Sequence, residues 1–321
     1  MKKTQKVRHH NSIKSKKFKN NKYLNAMSEN DFFWQYPAHT EYIFYTQNKK
    51  KKNFIPFPWA TLIDRGIDQN YVHDILKPLV NTKNNFTCCQ HIWYYKYIPL
   101  WKKLNIDTVY ISHKEIGKDS IEGIKLLACP IFALNIEDQN KNKLFSNFDK
   151  LNTPRGLLYS FRGAYNSKWY MSAIRPNIFT MKHHPSSEVE NIGTWHLNDL
   201  VYSNHQNKNY TLNDNNNHKI NTTLYNLALM NSKFSLCPSG SGPNSIRFWE
   251  SLGLGSIPIL LSDKLELPYH EMWNHAILRI QEKDYQKIPD ILDNISENEI
   301  DFRRKNCIEI YNHFKNNFAN N

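Results

Sequence analysis

The sequence predicts an α/β protein of two Rossmann-like units, and three observations carry that prediction. The chain has 321 residues, more than one ordinary compact core accommodates and enough for two domains of about 120 to 150 residues with a tail to spare. Between residues 86 and 130 apolar runs follow one another as strand, helix, strand, strand, an order that implies parallel pairing. Between residues 234 and 261 a similar order returns as strand, turn, helix, strand. Hydrophobic residues make up 40% of the chain and aromatics 13%, which is ample for packed cores and too apolar for a disordered polymer.

The elements follow in order. Residues 1–28 carry nine Lys or Arg and no acid, so they hold most of the formal charge of +13 and leave about +4 for the remainder. This segment reads as a basic, disordered tail that either stays solvated or, with the lysines at 49–52, rests on an anionic membrane surface. The prolines of residues 54–59 exclude a helix there and suggest a buried irregular entry. Residues 86–90 read as a strand, 93–104 as an amphipathic helix kinked at Pro99, and 108–112 and 124–130 as strands. Residues 139–149 turn polar and read as a linker. A second unit opens with a strand at 156–161 and a helical stretch at 169–174, and the Asn-rich residues 205–221 read as a surface loop. A helix at 224–231, a strand at 234–237, a helix at 243–252, a strand at 257–261 and a C-terminal helix over 291–318 complete the pattern.

No apolar run approaches the ~20 residues of a membrane span, and the Lys-rich N-terminus lacks a signal peptide's apolar core. The expectation is a cytoplasmic protein, possible membrane contact being peripheral and through the tail. Five cysteines without a CxxC pair fit buried thiols, not a zinc or disulfide framework. His183 and His184 are adjacent and precede Pro185, so they read as loop residues, not a metal pair.

The informative stretch is residues 234–261. Its glycine-bearing turn, Ser239-Gly240-Ser241-Gly242, lies at the carboxyl end of a strand, where open α/β sheets place ligands. Gly240 and Gly242 allow close backbone approach, and a helix starting at Pro243 would offer its free N–H groups to a phosphate. Asn244, Arg247 and Glu250 recur every three residues on one face. Arg247 then reads as a phosphate partner and Glu250 as an acceptor for ribose hydroxyls, the alternative being an ordinary exposed ion pair. Taken alone, the glycines resemble only a broken dinucleotide fingerprint.

The combined pattern is more specific. Leu236-Cys237-Pro238, the glycine turn, Arg247 to Glu250, Gly255 to Ile259, Asp263 and Leu267-Pro268 resemble the nucleotide-sugar signature of the exostosin-like glycosyltransferases of family 47. The likeness covers roughly the last half of the chain. It implies a GT-B architecture of two Rossmann-like domains facing across a cleft, with a C-terminal helix. The expected division is a tail at 1–28, an acceptor domain at 29–145, a donor domain at 146–285 and a helical segment at 286–321. It implies transfer of a sugar from a nucleotide-diphosphate donor, a UDP-sugar by family habit, to a saccharide acceptor, with inversion. Animal members are membrane-anchored, whereas the expectation from this sequence is a cytosolic version without an anchor.

No two aspartates are separated by a single residue, so the sequence does not demand a metal, and cations should neutralise the leaving diphosphate. Arg162 and Gly163 at a strand end, Lys168 and Arg175 just beyond, join Arg247 as donor-binding candidates. For the base that takes the acceptor proton, His91 and His113 close the first two strands, and Asp138 with Glu137 offers a carboxylate alternative. Trp34, Trp59, Trp93 and Trp101 are available for stacking on sugars or for the core. Two rival readings remain: a basic nucleic-acid-binding protein, disfavoured because the charge sits in a tail and not among aromatics, and a non-catalytic sugar-binding module.

Overall fold

The computed structural model describes residues 38–80, 83–137, 143–193 and 216–317. The basic tail, Trp34 and Asp138 lie outside the described residues, as does most of the Asn-rich loop. Two sheets organise the fold. The first has the order β1-β2-β4-β3, with β1 (Asn85–Cys89), β2 (Ile106–Ile111) and β4 (Ile124–Ala128) parallel and the short β3 (Ser120–Ile121) antiparallel to β4. The second has the order β6-β5-β7-β8-β9, all parallel, from β5 (Leu157–Gly163), β6 (Ser187–Asn191), β7 (Ser232–Pro238), β8 (Ile257–Leu261) and β9 (Leu278–Arg279). The expected mixed α/β character with parallel sheets is therefore present.

In the second sheet β8 is buried at every position and β7 at all but Lys233, as suits strands covered on both faces, whereas β2 and β4 of the first sheet alternate buried with half-buried or exposed positions. Helices α1 (Thr40–Asn48), α2 (Trp59–Arg65), α3 (Gln69–Leu76), α4 (Ile98–Lys103) and the one-turn α5 (Leu134–Glu137) accompany the first sheet. Helices α6 (Ile174–Thr180), α7 (Asn216–Asn231), α8 (Ile246–Leu254), α9 (Trp273–Ala276), α10 (Ile288–Asp293) and α11 (Glu297–Asn317) accompany the second. One apolar cluster runs from Phe44 and Trp59 through Phe132 to Trp249, Tyr311 and Phe314, so the core is continuous between the sheets.

Several expected boundaries shift for physical reasons. The residues 54–58 are buried and irregular as anticipated, but a helix starts directly after Pro58, and Gly66 ends it in the left-handed region at φ 60°. Instead of one kinked helix over 93–104, a 3-10 turn (Tyr94–Tyr97) precedes α4, whose first turn accommodates Pro99. Residues 169–173 are not helical; that turn of helix is α6, further along. The helix expected at 224–231 begins at Asn216, inside the Asn-rich segment. Pro243 is not the first helical residue: Ser245 is extended, at φ −137° and ψ 146°, and α8 begins at Ile246. The long C-terminal helix is two, α10 and α11, parted at residues 294–296.

Candidate active-site cleft

All strand ends that matter point into one cavity of about 280 Å³. Parallel strands put their carboxyl ends on the same side, so residues just past β1, β2, β4, β5 and β7 meet there. From the first sheet come Gln90, His91, His113 and Asn135, joined by Asp64 of α2; from the second come Arg162, Gly163, Arg175, Gly240, Ser241, Gly242, Asn244, Arg247 and Glu250.

The second sheet supplies the cations. Arg247, the second residue of α8, lies between the rings of Phe161 and Tyr225, its guanidinium 4.8 and 4.6 Å from their centroids, and donates to the Arg162 carbonyl. Arg175 of α6 rests on Phe161 and Tyr170 at 5.5 and 4.5 Å and donates to the carbonyls of Ser239 (2.9 Å) and Ala164 (3.0 Å). Burial pushes the Arg175 guanidinium down to about 10, still far above neutrality. Among the described residues neither arginine has a carboxylate at ion-pair distance, whereas Arg162 is paired with Glu188 and Glu190 of β6. Gly163 is required for this packing, since a Cβ there would fall 2.7 Å from Phe161 and 3.3 Å from the Arg175 guanidinium.

Glu250 is 3% exposed, which overturns the alternative of an exposed ion pair with Arg247. It accepts hydrogen bonds from the Tyr225 hydroxyl and from Asn135 Nδ2 (2.8 Å), so α8, α7 and the residues after β4 converge on one carboxylate. Burial raises its pKa, against these two donors and the nearby Arg247. Asn244 precedes α8 and does not share its face. Its Nδ2 donates to the Ser112 carbonyl at 2.7 Å, and its Oδ1 accepts from the Ser245 amide at 2.9 Å and the Trp249 indole at 3.1 Å. It thereby ties the end of β2 to the glycine turn.

Two donor-binding candidates stand back from the cavity. Lys168 is exposed, over the Trp169 ring at 5.0 Å. Ser239 is buried, its hydroxyl against Ser172 (3.1 Å) and Glu282 (3.3 Å), and it contributes its carbonyl to Arg175. Of the tryptophans, Trp59 and Trp101 are core residues in edge contact at 5.6 Å, while Trp93 is exposed beside His91. His183 and His184 are engaged locally, with the Tyr159 hydroxyl and the Ser186 amide.

The histidines differ in environment. His113 packs its Nδ1 against Gly242, where it is sealed and without a hydrogen-bond partner among the described residues, and burial pushes its pKa down to about 3. His91 uses both ring nitrogens: Nδ1 accepts the Trp93 amide at 3.0 Å, and Nε2 faces Asp64 Oδ1 at 2.9 Å. Asp64 and Tyr225 were not marked by the sequence as site residues. Their signal is an acid near the end of a helix hidden behind prolines and an aromatic within a polar helix, and neither stands out without its partner.

The family model for the exostosin GT47 domain matches residues 117–295. The chain is 28% identical over 217 residues to an exostosin-1 homolog of Caenorhabditis elegans, a match covering 65% of this chain and 54% of that relative. It is 32% identical over 84 residues to the probable glucuronoxylan glucuronosyltransferase IRX7 of Arabidopsis thaliana, covering 26% and 19% of the two chains, and 40% identical over 67 residues to exostosin-1c of Danio rerio, covering 20% and 9%. The chain thus spans about half the length of the nematode relative it matches. The matched residues include β5, α6, β7, the glycine turn and α8, the elements that carry Arg175, Arg247 and Glu250 to the cavity, and with that match the chain belongs to the exostosin GT47 family.

Proposed function

We propose that this protein is a glycosyltransferase of GT-B type that moves a sugar from a nucleotide-diphosphate donor, a UDP-sugar, to a saccharide acceptor with inversion at the anomeric carbon. The observation that carries the reading is the pair Arg175 and Arg247: two guanidiniums held on aromatic faces at the carboxyl ends of β5 and β7, with no carboxylate at ion-pair distance among the described residues. Such a pair suits a diphosphate, whose charge grows as the sugar departs, and preorganised cations stabilise that charge without reorganising. Arginine is the apt residue, because its planar group both stacks on rings and donates from a rigid fork. Glu250, fixed by Tyr225 and Asn135, faces the same cavity as the group for ribose hydroxyls. The names of the plant relatives support a glucuronosyl donor as the first to test.

The test is release of UDP from UDP-glucuronate, UDP-glucose, UDP-galactose and UDP-N-acetylglucosamine, with oligosaccharide acceptors present. Wild-type protein should consume at least one donor, and Arg247→Ala should weaken UDP binding by about 30-fold or more, the loss expected for a charge-assisted contact of roughly 2 kcal/mol. Wild-type protein that binds no UDP and consumes no donor would refute the reading.

A further inference from the structure

Inverting transfer needs a group that accepts the proton of the acceptor hydroxyl, within the cavity that holds the donor cations. Five titratable side chains on or behind the first-sheet side and α8 come into question. His113 is a poor base: its Nδ1 is sealed against Gly242, and a group held neutral down to about 3 attracts a proton weakly at neutral pH. Glu41 is 3% exposed and its carboxylate accepts the backbone amides of Ala60 and Gln90, behind the cavity wall. Glu250, held by Tyr225 and Asn135, is the group assigned above to the ribose hydroxyls of the donor. His91 has no lone pair left. Because Nδ1 accepts the Trp93 amide, the neutral ring carries its proton on Nε2 and donates it to Asp64.

Asp64 is the fifth. It lines the cavity that also contains Arg175 and Arg247, and it is placed by local structure. The Trp59 indole donates to Thr87 of β1 at 2.7 Å, which pins the start of α2 against the strand. A turn and a half later the helix brings Asp64 to His91, two residues past the end of β1. An aspartate receiving the Nε2–H of a histidine whose other nitrogen is locked by backbone is held in one orientation, with a carboxylate lining the open cleft.

We propose that Asp64 is the general base of the transfer and that His91 is its positioning residue. This rests on the glycosyltransferase reading given above. In the step, the acceptor O–H proton moves to the Asp64 carboxylate as that oxygen bonds to the anomeric carbon. The bond from the anomeric carbon to the phosphate oxygen breaks, and the nucleoside diphosphate leaves with the electron pair toward Arg175 and Arg247. Protonated Asp64 then returns its proton to water.

Azide separates proton removal from every other role, because the anion attacks carbon without having a proton to lose. The experiment takes the full chain with the donor it consumes and measures UDP release with a hydroxyl acceptor or water, glycosyl azide formation with sodium azide, and UDP affinity. Asp64→Asn should lower transfer to hydroxyl by about 100-fold or more, keep UDP affinity within about twofold, and still form glycosyl azide. His91→Gln should lower kcat with unchanged donor affinity. Asp64→Asn with near wild-type transfer to hydroxyl overturns the assignment, and so does equal loss toward hydroxyl and azide with UDP binding kept, because that marks a purely structural role. If Asp64→Asn loses UDP binding as well, Asp64→Glu decides: restored binding without restored transfer to hydroxyl also overturns it, whereas restoration of both supports it. Wild-type protein that consumes no donor overturns the transfer reading itself, an outcome recognised before any variant is made.

Discussion

At the scale of single residues, the cleft is built by close approach. A Cβ on Gly242 would lie 2.5 Å from His113 Nδ1 and 2.7 Å from Ile92 Cγ2, whereas on Gly240 the nearest atom is the Arg175 guanidinium at 3.7 Å. Gly242→Ala should therefore cost about 1 to 3 kcal/mol, the usual penalty of overpacking, and Gly240→Ala much less; urea unfolding of the two variants checks the difference. His113 sets a pH dependence. Its folded-state value of about 3 lies below the ordinary 6.5, so between those values the unfolded chain binds the extra proton. Stability is complete above pH 6.5 and falls as pH drops toward 3, by a few kcal/mol at most. In His113→Gln the unfolding free energy should lose part of that slope in a pH titration. The sequence placed both histidines at strand ends correctly, but whether a ring nitrogen is sealed or open depends on Gly242 and Trp93, contacts no spacing encodes.

At the scale of elements, β1, β2, β4, β5, β7 and β8 were legible from their apolar runs, whereas the two-residue strands β3 and β9 are too short to show one. The edge strand β6 was not legible either. Its sequence, Ser-Glu-Val-Glu-Asn, is polar, and Glu188 and Glu190 alternate toward Arg162, a partner 26 and 28 residues away. The start of α8 was misplaced because Pro243 is acceptable as a first helical residue, yet Asn244 turns aside to bind Ser112 and Trp249, and that keeps the chain extended through Ser245. Asn244→Ala leaves the buried Trp249 indole N–H and Ser112 carbonyl without these partners. Each such loss costs about 1 to 3 kcal/mol. A lowered urea midpoint, with weakened UDP binding as the turn loses its tie, is the expected result. The same reasoning explains why Asp64 escaped notice: it becomes informative only when α2 is seen docked on β1.

At the scale of the whole molecule, the two sheets are joined around the cavity by polar ties as well as by the continuous core. Glu115 bridges to Leu265, the Ile116 amide donates to the Lys264 carbonyl at 2.9 Å, and Lys114 lies between Asp119 and Glu266. Lys114 is only 2% exposed. Its partners Asp119 and Glu266 reach solvent, so salt, with a Debye length of about 10 Å at 0.1 M, screens those pairs in part, while the backbone ties and the continuous apolar core are unaffected. The ties that hold the two sheets together are made within the protein, whereas an anion entering from solvent loses part of its attraction to the cleft cations as salt is added. Raising KCl from 0.05 to about 0.5 M should weaken UDP binding several-fold while the melting temperature of the unliganded protein stays nearly constant. The cleft would keep its shape in brine and lose only its hold on the anion.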